Sequence, residues 1–162
     1  MDGDRTTADG KASSVQFVHF EFDEEAVKNI KSNMENVSIS IKEVTNKANL
    51  RKGPGDWYPI KWQINAPSLP LKVIEKGEFY NKVELHDGTQ GWLSIILTSN
   101  KKNLIVIRDT NLLSNTGKIK AKVLKENIIK NFNCDLEKKP QLCKVEIQNI
   151  KGFIKKSYLW GF

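Results

Sequence analysis

Asn49-Leu50-Arg51-Lys52-Gly53-Pro54-Gly55-Asp56-Trp57-Tyr58-Pro59 holds the sharpest break in regular structure along the chain. Gly-Pro-Gly stops any regular element: Pro54 fixes φ and removes a donor, and the flanking glycines tolerate φ > 0. A strand ending near Leu50 therefore runs into a turn, and an aromatic pair, Trp57-Tyr58, follows the turn at once.

Working outward, the apolar pattern has a period of two. Upstream, Val37, Ile39 and Ile41 alternate with Ser38, Ser40 and Lys42, as in a half-buried strand. Downstream come the short β-like runs Leu71–Ile74, Tyr80–Leu85, Leu104–Ile107 and Cys143–Ile147, separated by Ala66-Pro67, Lys76-Gly77, Asp87-Gly88, Asn115-Thr116-Gly117 and Lys139-Pro140. Asp87-Gly88 is a hairpin signal. Gly91 before Trp92 suits a barrel corner that turns the indole into the core. Short strands with turns every ten or so residues make a mainly β chain of small barrels or sandwiches.

An internal repeat sharpens this. Asn49-Leu50 recurs as Asn111-Leu112 and Lys82-Val83-Glu84-Leu85 as Lys144-Val145-Glu146-Ile147, both at an offset of 62; Gly91-Trp92-Leu93 recurs as Gly152-Phe153-Ile154 at 61. A period near 60 is that of a complete small barrel. The expected organisation is a disordered leader over 1–14, a strand–helix segment over 15–38, a first barrel over 39–102 and a degenerate second barrel over 103–162. In the strand–helix segment, Val15–Phe22 reads as a strand around His19. Asp23 reads as the N-cap of an amphipathic helix carrying Val27, Ile30 and Met34.

The landmarks resemble the bacterial SH3-like domain family, whose repeats open on Asn, an aliphatic residue, Arg, Gly-Pro and an aromatic, and close on Gly-Trp and an aliphatic residue. Here these are Asn49-Leu50-Arg51, Gly53-Pro54, Trp57-Tyr58 and Gly91-Trp92-Leu93. The ending Ser157-Tyr158-Leu159-Trp160-Gly161 is similar to that of tandem SH3-like proteins of alphaproteobacteria. The resemblance covers about 120 of the 162 residues. It is weaker in the second copy, where Leu113-Ser114 replaces Arg51-Lys52. It implies two tandem SH3-like barrels and a binding module of the cell envelope, taking peptidoglycan, its stem peptide or a protein partner. The first barrel holds the candidate ligand groups Arg51, Trp57, Tyr58, Trp62 and Tyr80, because an aromatic groove with a few polar groups is how small barrels hold extended peptides or sugars.

Catalysis is poorly provided for. His19 and His86 are the only histidines, and His86, just before Asp87-Gly88, reads as a surface hairpin residue. There is no phosphate loop, nucleophile elbow or metal-spaced cluster, so no catalytic residue, metal or cofactor is expected. Cys134 and Cys143, nine apart, bracket a short hairpin loop and are read as a disulfide, against the alternative of two reduced thiols. A bridge points to the periplasm or the exterior, with a leader lying before residue 1.

Charge leaves a second class of function open. Of 26 basic residues only Arg5, Arg51 and Arg108 are Arg, and residues 101–162 carry fourteen basic against five acidic side chains, a net +9. The alternatives are therefore a basic small-barrel nucleic-acid binder or a secreted host-interaction factor. The scarcity of Arg forks and the expected disulfide weigh against nucleic acid. No apolar run approaches the roughly 20 residues of a membrane-spanning helix.

Overall fold

The alternation beginning at Val37 does become a strand, but not a half-buried one. The computed structural model describes residues 37–162, and in it all four residues of β1 (Ser38–Ile41) are buried. The expected leader, the strand around His19 and the helix after Asp23 lie outside the described residues. The serines of β1 satisfy their hydroxyls internally: Ser38 Oγ donates to the Gly161 carbonyl at 2.6 Å, and Ser40 Oγ lies 3.3 Å from Ser99 Oγ. Such pairing is what makes burial of a polar group on the second face tolerable.

The described chain is mainly β. After β1 come β2 (Ala48–Arg51), β3 (Ile60–Ile64), β4 (Pro70–Glu75), β5 (Tyr80–Glu84), β6 (Gln90–Ser94) and β7 (Thr98–Ser99). They form one antiparallel sheet in the order β3-β2-β6-β5-β4-β1-β7. The later strands are β8 (Leu104–Val106), β9 (Thr110–Leu113), β10 (Ile119–Val123), β11 (Ile128–Ile129), β12 (Asn131–Asn133), β13 (Leu142–Ile147), β14 (Ile150–Lys155) and β15 (Leu159–Trp160). They form two sheets, β10-β9-β14-β13-β12 and β11-β8-β15. None of the helices among the described residues is long and apolar enough to cross a membrane.

The pairings of the later strands follow those of the earlier ones. β1 pairs with β4 and β7, and β8 with β11 and β15. Arg51 on β2 faces Trp92 on β6, and Leu113 on β9 faces Phe153 on β14. A single 3-10 turn precedes each last strand, at Ile95–Leu97 and Lys156–Tyr158. Even the inward glycines correspond. A Cβ at Gly91 would lie 2.5 Å from Leu50 Cγ, and one at Gly152 would lie 2.5 Å from Leu112 Cγ.

That close approach corrects the expectation for Trp92. Gly91 and Leu93 are the inward residues of β6, and the two-residue period turns Trp92 outward, where it is half-buried. His86 also departs from expectation. It is half-buried, its ring meets Trp160 edge-on at 6.5 Å, and its Nδ1 is buried without a hydrogen-bond partner.

The described residues, 37–162, form one compact unit with two apolar cores. The first gathers Leu50, Leu71, Val83 and Leu93; the second gathers Leu112, Val123, Val145 and Ile154. β8 serves both. Its alternation sends Leu104 and Val106 into the second core and Ile105 into the first. Cys134 and Cys143 are bonded to each other. The register that sets Asn133 opposite Lys144 continues to place Cys134 opposite Cys143, so the bridge staples the β12–β13 hairpin at the rim of the second core.

Candidate functional site

The segment between β2 and β3 is closed at its base by the Lys52 N–H, which donates to the Pro59 carbonyl at 3.0 Å. Within it the two aromatics lie on the two glycines. A Cβ on Gly53 would fall 2.4 Å from the Tyr58 ring, and one on Gly55 would fall 2.6 Å from the Trp57 ring. Neither glycine has positive φ. The glycines are thus required for a different reason from the one expected: they leave room for the rings, and do not supply left-handed backbone. The rings themselves are tilted by 35° with centroids 5.7 Å apart.

Arg51 holds this loop from beneath. Its Nη1 donates to the carbonyls of Asp56 and Tyr58, both at 2.8 Å, and its Nη2 lies 3.2 Å from Asp56 Oδ1. The guanidinium fork suits this task, since one rigid plane can satisfy several acceptors at once. Tyr80 completes the cluster by donating its hydroxyl to Asp56 Oδ1 at 2.6 Å. That bond, followed by desolvation and the Asp56 charge, pushes the Tyr80 hydroxyl above its usual range, with Arg51 opposing.

Exposure separates the aromatic residues. Trp57 is 81% exposed and Trp62 59%, whereas Tyr58, at 37%, is more sheltered on Gly53. Phe79 and Ile60 are exposed as well.

Four of the five expected residues, Arg51, Trp57, Tyr58 and Tyr80, are therefore joined in one cluster. Trp62 is not among them. Its register partner on β2 is Leu50, so it extends the inward face at the sheet edge while Arg51 points to the other face. The residue that sequence reasoning missed is Asp56, the acceptor that ties Arg51 to Tyr80. Its signal was weak: one acid after a Gly-Pro-Gly turn, five residues beyond an Arg.

The loop lies inside the part of the chain that matches a known family. Residues 44–100 match the bacterial SH3 domain. The bacterial SH3 match spans β2 through β7 and so includes the Arg51–Asp56–Tyr80 cluster and both glycine-seated aromatics. Among solved structures, the chain is similar to NlpC1 from Trichomonas vaginalis at 16% identity and a TM-score of 0.36, over 76% of this chain and 45% of that one. It is similar to NlpC2 from the same organism at 14% identity and a TM-score of 0.36, over 76% of this chain and 47% of that one. The chain spans less than half the length of either. No curated protein matches the sequence.

Proposed function

We propose that the protein is a non-catalytic binding module of the bacterial cell envelope. In this reading residues 39–102 and 103–162 are two tandem SH3-like barrels, and the first takes peptidoglycan, its stem peptide or an extended protein segment. The observation that carries it is Trp57: a tryptophan that is 81% exposed yet seated on Gly55, in a loop held by three polar contacts from Arg51. A large aromatic fixed in place at the surface offers contact area at low entropic cost, which is the character of binding hot spots. Asp56 beside it supplies a carboxylate for an amine or hydroxyl of the ligand.

Arg51, Tyr58 and Tyr80 act in this reading by positioning the loop, while Trp57 touches the ligand and Trp62 forms a wall on the far side of the edge strand. The second barrel supports the first, because it lacks the Arg and the aromatic pair. The bacterial SH3 match over 44–100 supports an envelope role, and the disulfide is compatible with an extracytoplasmic site.

The test is Trp57→Ala, with Tyr58→Ala beside it. Trp57→Ala is expected to cut retention on purified peptidoglycan or on a partner at least about tenfold, with little change in melting temperature. Tyr58→Ala is expected to lose both, because its ring covers Gly53. A Trp57→Ala protein that melts several degrees lower but binds unchanged per folded molecule would overturn the assignment.

A further inference from the structure

The aromatic loop leaves the basic side of the molecule without a role. A cleft of about 650 Å3 opens beside β1, between the segment that follows β7 and the start of β12. Small-ligand sites fall in this size range. Its lining carries Lys42, Lys101, Lys102 and Lys130 against a single carboxylate, Glu43, which leaves a net +3. Lys130 is the one that Glu43 engages, in an ion pair that ties the two ends of the cleft lining together. The hydrogen bond and charge of Lys130 hold the Glu43 carboxyl below its usual range, and Lys101 adds to the effect.

Among the described residues, no ion pair engages Lys42, Lys101 or Lys102. The cleft also offers one hydroxyl: Ser99, half-buried on its wall, lies 3.3 Å from the buried Ser40 Oγ and keeps hydrogen-bonding capacity to spare. A concave surface of one sign concentrates counter-ions far more than the same charges spread over a convex face.

We propose that this cleft binds a phosphate-bearing ligand, either a free oligophosphate or the phosphodiester units of a polymer. Lysines suit phosphate as point charges, and the Ser99 hydroxyl can serve a further oxygen. The enclosure favours one or a few phosphate groups over a nucleic-acid duplex. Among the described residues the cleft lining holds no Arg fork for base edges: Arg51 is committed to the aromatic loop and Arg108 stacks on Tyr158. The proposal does not depend on the role of Trp57, so the two can fail separately.

Calorimetric titration of the full chain with tripolyphosphate, in low salt, is the test. Saturable one-to-one binding is expected. Lys101→Ala/Lys102→Ala should weaken it at least about tenfold, and Lys101→Gln/Lys102→Gln likewise. The control double variant Lys118→Ala/Lys138→Ala, which removes equal charge elsewhere, should weaken it less than about twofold, and Trp57→Ala should leave it unchanged. All four of the lysines replaced are exposed, so the fold should survive. Equal losses in the cleft and control variants would reduce the effect to bulk charge and overturn the proposal. So would an absence of saturable binding, or tighter binding of duplex DNA than of tripolyphosphate. A parallel titration with poly(glycerol phosphate) separates the sources: tighter binding of the polymer points to phosphodiesters, and tighter binding of tripolyphosphate to a free oligophosphate.

Discussion

The loop over 52–59 and the turn over 114–118 occupy corresponding places, after β2 and after β9, and they have opposite designs. The first spans eight residues and is held by Arg51, Asp56 and Tyr80 around two aromatics seated on glycines. The second spans five and is a plain hairpin turn. The Ser114 N–H donates to the Lys118 carbonyl at 2.7 Å, and Gly117 takes φ 81°. The long loop leaves Trp57 at the surface, whereas the short turn simply returns the chain. The same strand framework thus carries an elaborated loop in one half and a minimal one in the other. The strand pairing is therefore independent of the loop that exposes Trp57.

A smaller difference in the same direction occurs at the other hairpin. In the first half, His86-Asp87-Gly88 forms a three-residue loop, with the Leu85 N–H donating to the Thr89 carbonyl at 2.9 Å and Gly88 at φ 82°. In the second half Ile147 pairs directly with Ile150, leaving Gln148 and Asn149 at φ 48° and 65° as a two-residue turn. The loss of one residue here is why the sequence offset falls from 62 before this turn to 61 after it.

The largest expected effect tests whether the second half relies on its staple. Cys134→Ser/Cys143→Ser, or reduction, should cost about 2.5–3 kcal/mol on the chain-entropy account of a loop this short. Chemical denaturation measures it, and hydrogen exchange should localise the loss to β12–β14. Loss spread equally over β2–β6 would break the view of two separate cores.

Gly91→Ala and Gly152→Ala come next. Each added methyl meets a leucine side chain and a carbonyl oxygen, Arg51 O at 3.0 Å or Leu113 O at 2.8 Å. Each should destabilise by about 2 kcal/mol, within the usual cost of overpacking. Similar losses in midpoint would support equivalence of the halves, and a cost at only one site would count against it.

Arg51→Ala should lower stability by about 1–2 kcal/mol through its lost hydrogen bonds. Arg51→Lys should recover little, because an ammonium cannot reproduce the fork. The corresponding Leu113→Ala would loosen the second half alone.

A gain of about 0.5–1 kcal/mol is expected when Gln148-Asn149 is replaced by Asn-Gly, since both positions have left-handed φ. Thermal melts would show it, and no gain would mean that the turn is held by something beyond its backbone geometry.

The smallest effect is a titration. With its proton shared toward Asp56, the Tyr80 hydroxyl has a higher pKa folded than unfolded. Its contribution is therefore fully present below the unfolded value of about 10 and is lost as pH rises through the folded one. Ultraviolet difference spectra of the native protein against Tyr80→Phe should show the missing tyrosine ionising above the usual tyrosine range. An ordinary titration at that position would dissolve the Arg51–Asp56–Tyr80 cluster.

The β class and the turn positions were legible in the chain alone, as were the near-60 spacing of its landmarks and a Cys134–Cys143 spacing that fits the bond the structure shows. All of these rest on local chemistry: period-two alternation, Gly and Pro breaks, and short loop lengths. The sequence also picked out Arg51, Trp57, Tyr58 and Tyr80 as a group, because they cluster around one turn or one strand end. What it could not decide depended on which face a strand presents. Trp92 faces outward because Gly91 must receive Leu50, and Trp62 leaves the group because its register partner is Leu50 and not Arg51. His86 is half-buried because Trp160, distant in sequence, comes back against it. The burial of β1 on both faces, and the sharing of β8 between two cores, likewise arise from strands that meet only after the chain has closed on itself. Local propensity sets an element and its ends, but facing and partnership are settled by long-range packing.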